Sequence, residues 1–434
     1  MRFLRIILLC FLCLWAHVAM AFSVIRDTEI EETVLNWVQQ IFKAAGLAPE
    51  NASIVLINDP SLNAFVAGGQ TIFIHTGLFM NSESVDDVMF VLSHETGHIV
   101  GGHITRGIAA MEKAQTATLI STILGGVLAV ASGRPDAGIA IMIGSQGSAL
   151  GQFMSYRQTE ESSADRTAVD VMQKLGYSMK GFLNIMQNLR RLERLNASDD
   201  EGYLRTHPFT QNRINDLDRF TKNAPEVKKD IKFERVKAKL AGFMLKPIDV
   251  ISRYKGNSFT DRYARAIALY QKRDLTNSFQ LLDELIKENP NDAYLHELRG
   301  QFAFEKGQMT ESIRHYEKAN QLKPHQPLIE ISLAQAYLEE KSKANAQKAL
   351  SLLTRAIIKE PDIALAWRLM ATAYHHLGKE LEADYAMVEY DRASNDLKKA
   401  QKRAKNTLEK MNKSHPYYQR LKDIVALNSK DKNN

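Results

Sequence analysis

The sequence predicts a mainly α-helical protein with a small β-sheet in its N-terminal half, followed by an all-α solenoid of helical repeats. Apolar residues recur at helical spacing along most of the chain, as between Thr28 and Lys43. Short β-branched and aromatic runs indicate strands at Ser53 to Ile57 and between Asn63 and His75. In the C-terminal half, prolines end successive helix pairs at intervals of 34 and 37 residues, which indicates a repeat.

Length and charge restrict the classes of function. The chain of 434 residues is long enough for two or three domains, and its 45% apolar and 24% charged residues are ordinary for a globular protein. The formal net charge of +6 is small for this length, so it does not indicate a nucleic-acid-binding protein. A weakly basic surface still suits a negatively charged membrane or an acidic partner.

Residues 1–21 have the features of a cleaved secretory signal. Two arginines precede an apolar run from Ile6 to Trp15, and Ala19-Met20-Ala21 supplies the small residues of a cleavage site. The alternative is a membrane anchor, but the apolar run is short and His17 interrupts it. We therefore expect a mature protein that begins at Phe22 in an oxidising export compartment such as the periplasm, with membrane association left open.

A second apolar segment, at residues 116–150, has two runs separated by Ser132-Gly133-Arg134-Pro135-Asp136. Each run is shorter than the roughly 20 apolar residues that span a bilayer. We therefore predict a helical hairpin rich in Gly, Ala and Ser. Two roles stay open for it: a buried core hairpin, or one that contacts a membrane or gates access to a site.

The segment His94-Glu95-Thr96-Gly97-His98 carries the first indication of chemistry. On a helix, His94 and His98 lie one turn apart on one face, so both imidazoles can bind one metal ion. Glu95 lies beside them, where its carboxylate can take a proton from water at the metal. The only cysteines, Cys10 and Cys13, lie in the signal segment, so further ligands in the mature protein must be His, Asp or Glu. The pattern is typical of zinc hydrolases, although five residues also occur by chance.

A catalytic zinc usually has three protein ligands and one open position. In one known pattern, a histidine six residues after His98 is the third ligand, but position 104 is Ile. The nearest histidine, His103, misses that position by one residue. We expect it to be a polar residue at the helix end or a hydrogen-bond partner of a ligand.

The alternative third ligand is a Glu from a later helix that begins near Glu160. On that helix Glu161 and Asp165 share a face, and Ala164 is small enough for a close approach to the metal helix. Glu161 would then bind zinc, and Asp165 would accept the free N–H of a ligating histidine. Charged residues early in a helix are also common dipole caps, so this segment alone is a weak indication.

The strand that carries Asn63, Ala64 and Phe65 precedes the metal helix in the chain. If this strand forms the sheet edge beside the cleft, an extended peptide can add to it through main-chain hydrogen bonds. An ordinary interior hairpin is the alternative.

Together these motifs resemble the M48 family of zinc metallopeptidases over roughly residues 30–220, with Asn63-Ala64-Phe65 and Thr76-Gly77-Leu78 as further matches. The resemblance implies a zincin-like α+β peptidase domain at residues 22–222 with one zinc ion per chain. It also implies that His94, His98 and Glu161, rather than Glu160, are the zinc ligands. Glu95 is implied to be the general base.

The segment from Thr206 to Arg213 is similar to the His-Pro and downstream Arg that M48 enzymes carry at the cleft. By this resemblance, His207 stabilises the oxyanion or hydrogen-bonds to substrate. Alternatively, His207 occupies the fourth position of the zinc in an inhibited resting state. Arg213 would pair with a carboxylate and orient the cleft.

About four repeat units occupy residues 258–395, after a connection at residues 223–257. Pro290, Pro324 and Pro361 end successive units, and Gly300 and Tyr316 fall where a tetratricopeptide repeat places them. Small residues let paired helices pack closely in such a solenoid, which binds proteins on its concave face. Residues 396–434 are predicted to form a basic C-terminal helix and a tail.

A secreted M48 domain followed by tetratricopeptide repeats resembles periplasmic proteases of Gram-negative bacteria that promote outer-membrane β-barrel assembly and degrade stalled barrels. The implied partners are unfolded or stalled barrel proteins and the barrel assembly machinery, bound through the repeats, with peripheral membrane contact through residues 116–150 and no nucleic acid. Two rivals stay open: a repeat-based chaperone or scaffold with a largely silent zinc site, and a membrane-inserted protease that uses residues 116–150.

Overall fold

The computed structural model describes residues 24–103, 158–180, 182–183, 186, 207, 211–222, 224–227 and 229–427. The predicted signal at residues 1–21 and the predicted hairpin at residues 116–150 lie outside the described residues. The described part confirms the predicted fold class, because a small sheet in the N-terminal half is followed by a long array of paired helices. None of the described helices is long and apolar enough to cross a membrane.

The described strands form one mixed sheet in the order β1-β2-β4-β3: β1 is Val24–Ile25, β2 is Ser53–Ile57, β3 is Ala64–Ala67 and β4 is Thr71–His75. β2 and β4 are parallel, and the two outer pairings are antiparallel. Gly68 and Gly69 join β3 to β4 with φ angles of +63° and +90°, a tight turn that favours glycine at both positions. Among the described strands, β3 therefore lies at an edge.

The helices of the N-terminal half are α1 (Thr28–Ala44), α2 (Thr76–Asn81), α3 (Val85–Gly101), α4 (Gln158–Leu175) and α5 (Gln211–Thr221). Asp27 caps α1 by accepting a hydrogen bond from the backbone N–H of Ile30 at 2.9 Å. Asp87 in the first turn of α3 accepts from the backbone N–H of Ser84 at 2.9 Å. Helix α3 is buried from its start to His98, between β3 on one side and α1 and α4 on the other. The predicted metal helix is thus the central element of this half.

Residues 223–257, predicted as a connection, contain two helices: α6 (Ile231–Met244) and α7 (Pro247–Arg253). Helix α6 buries Phe233, Val236 and Leu240 in the core of the N-terminal half. Its Ala238 belongs to the core of the first repeat. The connection therefore joins the two hydrophobic cores.

The repeats are four helix pairs: α8 (Phe259–Gln271) with α9 (Leu275–Glu288), α10 (Ala293–Glu305) with α11 (Met309–Leu322), α12 (Pro327–Glu339) with α13 (Lys343–Lys359), and α14 (Ala364–His376) with α15 (Glu380–Ala393). Equivalent serines in the first two pairs make the same contact. Ser278 donates to the carbonyl of Ala266 at 2.7 Å, and Ser312 donates to the carbonyl of Gly300 at 3.0 Å. The same hydrogen bond therefore links the two helices in the first and the second pair.

The C-terminal segment was predicted as one helix, and this prediction is wrong. Two helices form, α16 (Leu397–Lys410) and α17 (Tyr418–Ala426), which pack against each other. Pro416 lies in the break and disfavours helical geometry at the residue before it. Leu421 and Ile424 of α17 are fully buried, so this helix covers the end of the last repeat.

A buried polar cluster joins α1 to the first repeat. Glu29 accepts hydrogen bonds from Arg235 at 2.6 Å and from the Tyr263 hydroxyl at 2.8 Å. Lys239, itself buried, forms ion pairs with Asp27 at 2.7 Å and with Glu29 at 3.3 Å. Because these groups are satisfied only when the two halves are together, the cluster fixes the N-terminal half against the repeats.

Candidate metal centre

Helix α3 brings three of the predicted site residues together. The Nε2 atoms of His94 and His98 are 3.1 Å apart, and both rings are fully buried. Glu95 is also fully buried, and its carboxylate oxygens accept no hydrogen bond from the described residues. The polar group that faces this carboxylate is the ring of His207, whose Nε2 atom is 3.3 Å from Glu95 Oε1.

Helix α4 adds the carboxylate of Glu161 to the histidine pair. Its Oε2 atom is 3.4 Å from His94 Nε2, and its Oε1 atom is 3.5 Å from His98 Nε2. The two helices are in backbone contact at Gly97, where an added Cβ would lie 2.7 Å from the Cα of Ala164. Sequence reasoning identified Ala164 but missed Gly97, although it lies inside the metal motif. Both small residues are required for Glu161 to reach the histidines.

His207 completes the cluster from a distant part of the chain. Its Nδ1 atom is 3.3 Å from His94 Nε2 and 3.2 Å from Glu161 Oε1. Its other ring nitrogen, Nε2, is 3.3 Å from Glu95 Oε1. The buried imidazole of His207 therefore lies between Glu95 on one side and His94 and Glu161 on the other.

The donor set fits a single zinc ion. One ligand atom from each of His94, His98, Glu161 and His207 lies within 4.8 Å of the others. Zinc bonds of about 2.0–2.1 Å at tetrahedral angles would separate ligand atoms by about 3.3–3.4 Å. His94 Nε2 lies 3.1 Å from His98 Nε2 and 3.3 Å from His207 Nδ1, and the carboxylate oxygens of Glu161 lie 3.2–3.5 Å from the three imidazoles, which brackets that value.

Asp165 and Arg213 support the ligands from behind. The Nδ1 atom of His94 is 2.9 Å from Asp165 Oδ1, which fixes the ring with Nε2 toward the cluster. Arg213 donates two hydrogen bonds to Asp165, at 2.7 and 2.8 Å, and its Nη1 atom is 2.8 Å from Glu161 Oε2. The buried guanidinium of Arg213 thus orients both Glu161 and Asp165, the carboxylate that contacts His94.

Burial and neighbouring charges shift the pKa values of Glu95 and Glu161 in opposite directions. Burial raises the pKa of Glu95 above its ordinary value. Burial also acts on Glu161, but His207 and His94 hold the pKa of that carboxyl well below its usual range. For His94, hydrogen bonds to Asp165 and Glu161 outweigh burial and raise its pKa to about 9. The carboxyl of Glu161 is therefore held ionised, whereas that of Glu95 binds a proton more readily than a free glutamate does.

The remaining predicted residues lie nearby but outside the cluster. Asn63 precedes the edge strand β3, which contains Ala64 and Phe65 and contacts α3. The ring of Phe65 stacks on Phe73 of β4 at 5.0 Å. His103 is not at the cluster, and its Nδ1 atom is 2.7 Å from His98 Nδ1, on the far side of that ring.

Residues 25–221 match peptidase family M48, and residues 263–327 match the tetratricopeptide repeat. The chain contains an M48 peptidase domain followed by tetratricopeptide repeats. In this M48 domain, His94, Glu95 and His98 lie on α3, and Glu161 and Asp165 lie on α4.

The beta-barrel assembly-enhancing protease of Escherichia coli K12 is 26% identical to this chain over 329 residues, and that of Yersinia pestis is 25% identical over 331 residues. Each alignment covers 73% of this chain but 66% of the relative, slightly less than two thirds of its length. The mitochondrial metalloendopeptidase OMA1 of Bos taurus is 27% identical over 191 residues, which are 42% of this chain and 35% of OMA1. The alignments to the two bacterial relatives are longer than the M48 domain.

Proposed function

We propose that the protein is a zinc-dependent endopeptidase whose zinc ion is held by His94, His98 and Glu161. The observation that carries the proposal is the buried donor cluster, whose ligand-atom separations suit one tetrahedral ion. Imidazole nitrogens combined with a carboxylate favour zinc, whereas sites for magnesium or calcium are built from oxygen ligands. One zinc ion per chain is expected.

Each polar residue around the ion has a distinct task in peptide hydrolysis. A bound zinc ion supplies a Lewis acid that polarises the peptide carbonyl and lowers the pKa of water. Glu95 takes a proton from the attacking water and passes it to the leaving amine. Burial, which raises the pKa of Glu95, supports this transfer because the carboxyl holds a proton closer to neutral pH. Asp165 and Arg213 keep His94 and Glu161 in their ligating orientations.

His207 restrains the site in this arrangement. Its Nδ1 atom takes the fourth position of the donor set, and its Nε2 atom lies against Glu95. An attacking water and a substrate carbonyl need that same space, so the ring must move before cleavage. We expect His207→Ala to raise peptide hydrolysis. A loss of hydrolysis would instead show that contact with the transition state is the more important role of His207.

An extended polypeptide is the substrate form that suits this site. Among the described strands, β3 is an edge strand beside α3, so a substrate strand can pair with its main chain at Ala64, between Asn63 and Phe65. The carbonyl of Asn63 itself accepts from the N–H of His75 at 3.0 Å. Unfolded barrel proteins consist of segments with strand propensity. This supports an incompletely folded β-barrel protein as substrate.

In the cell, we propose a periplasmic protein that assists outer-membrane β-barrel assembly and degrades misassembled barrels. The names of the two bacterial relatives and the repeats support this role. The repeats would bind stalled barrel proteins or the assembly machinery, and residues 1–21 would direct export before their removal. Residues 116–150 would provide peripheral contact with the membrane.

A repeat-based chaperone or scaffold with a largely silent zinc site is the second candidate. The position of His207 across the cluster favours it, since a site restrained in this way is inactive until the ring moves. Complementation of a deletion strain by the Glu95→Gln variant would support this candidate.

The deciding experiment compares the mature protein with its Glu95→Gln variant. Zinc content and cleavage of a chemically unfolded outer-membrane barrel protein are measured on the same preparations. We expect Glu95→Gln to keep its zinc and to lose roughly 10²- to 10⁴-fold in cleavage rate, the usual contribution of a general base. Undiminished cleavage would rule out the proposed mechanism.

The partners are tested separately by crosslinking from the repeats in cells. A photoreactive residue in place of Lys306 or Lys348, both in the repeats, should capture barrel proteins or assembly components. The same probe at Glu50, in the peptidase domain, is the matched control. Equal capture from both positions would contradict recognition by the repeats.

A further inference from the structure

The chain reverses direction immediately after α3 and places His103 against the outer side of the His98 ring. Helix α3 ends at Gly101, and Gly102 adopts the left-handed conformation with φ of +62°. The ring of His103 then folds back over Gly101, where an added Cβ would lie 2.3 Å from His103 Nε2. His103 is only 3% exposed. The two glycines therefore provide the turn and the space that this buried ring requires.

The returned ring contacts the nitrogen of His98 that faces away from the cluster. His98 Nε2 points to His94 Nε2 and Glu161, so it is the atom available to a metal. Its Nδ1 atom must then carry the hydrogen, and His103 Nδ1, at 2.7 Å, is in position to accept it. The arrangement parallels the contact between His94 Nδ1 and Asp165, with a neutral imidazole in place of a carboxylate.

We propose that His103 is a positioning residue for the metal centre, which sets the tautomer and ring orientation of His98. The inference rests on the proposed function, because it assumes that His98 binds a metal through Nε2. Without an acceptor at Nδ1, the His98 ring can rotate or carry its hydrogen on Nε2, and either change removes a ligand. Partners of this kind typically contribute about 10- to 100-fold in metal affinity.

The test measures zinc affinity in the Glu95→Gln background, so the result does not depend on catalysis or self-cleavage. His103→Leu keeps an apolar side chain of similar size but removes the acceptor. His103→Asn restores an amide oxygen near the position of Nδ1. We expect His103→Leu to weaken zinc binding about 10- to 100-fold in chelator competition, and His103→Asn to stay within about threefold of its parent. Asp165→Asn, which perturbs the equivalent contact on His94, is the positive control.

Thermal unfolding of the zinc-free proteins measures how much the His103 side chain contributes to packing, separately from its effect on zinc affinity. His103→Phe is the second variant if His103→Leu does not fold, since it keeps an aromatic ring without a nitrogen. Equal zinc affinity in the acceptor-free variant and its parent would overturn the proposal. Binding by His103→Asn as weak as by the acceptor-free variant would overturn it too, because ring packing would then be the cause. Wild-type protein that binds zinc without cleaving peptides would count against the proposed function alone.

Discussion

Replacing Gly97 by alanine would test how closely α3 and α4 must approach for the proposed zinc site to form. The added Cβ would lie 2.7 Å from Ala164 Cα and 2.8 Å from its carbonyl oxygen, so α3 and α4 must separate by about 1 Å to restore ordinary contact distances. Metal sites tolerate ligand shifts of only about 0.2 Å. Overpacking costs about 1–3 kcal/mol, and the higher helix propensity of alanine offsets about 1 kcal/mol of it. We therefore expect a net loss of about 0–2 kcal/mol in stability but a loss of about 100-fold or more in zinc affinity or activity.

Gly242→Ala is the matched control for this prediction. Its Cβ would lie 2.7 Å from the Cβ of Ile267 in the packing of α6 on α8, far along the chain from the metal ligands. Zinc affinity is measured by chelator competition, and stability is measured by urea unfolding of the zinc-free proteins. Gly242→Ala should lose stability but keep parental zinc affinity. The reasoning fails if Gly97→Ala binds zinc as tightly as the parent, or if Gly242→Ala loses as much affinity.

Two further changes test the charged clusters. Arg213→Leu leaves Asp165 and Glu161 buried without their guanidinium, so unfolding of the zinc-free protein in urea should show a loss of about 3–5 kcal/mol. Arg219→Leu, on the exposed side of the same helix, should change stability by less than about 1 kcal/mol, and equal losses would refute the assignment. At the interface with the repeats, burial raises the pKa of Glu297 from 4.5 to about 7. The folded state thus binds this proton more tightly, so the contribution of Glu297 to stability is full below pH 4.5 and is lost as pH rises through about 7. Glu297→Gln should make the free energy of unfolding less dependent on pH between 4.5 and about 7. An unchanged pH profile would contradict this role.

The sequence predicted those parts of the site that depend on local geometry. His94 and His98 follow from helical spacing alone, and the shared face of Glu161 and Asp165 follows from the same rule. His207 lies 113 residues from His94, and no periodicity connects them, so only the family resemblance indicated its place. The contact of Gly97 with Ala164 was missed for the same reason, because a backbone approach between two helices leaves no pattern along either one.

The fold was likewise predicted where it depends on residues close together in the sequence, and missed where it depends on distant ones. Strand and helix periodicity and the proline spacing predicted the sheet and the paired helices. The attachment of the peptidase domain to the repeats depends on Glu29 and Tyr263, which are 234 residues apart. Such a pair becomes visible only when the chain is folded. The role of α6 in both hydrophobic cores was hidden in a segment predicted as a connection.

The central claim, a zinc site built from His94, His98 and Glu161, is tested most directly by zinc content in two neighbouring variants. Glu161→Gln removes the predicted ligand, whereas Glu160→Gln changes the adjacent carboxylate on the same helix. Metal analysis of the purified proteins should find one zinc ion per chain in the parent and in Glu160→Gln, and a loss of zinc in Glu161→Gln. Full zinc occupancy in Glu161→Gln, or its loss in Glu160→Gln alone, would contradict this site.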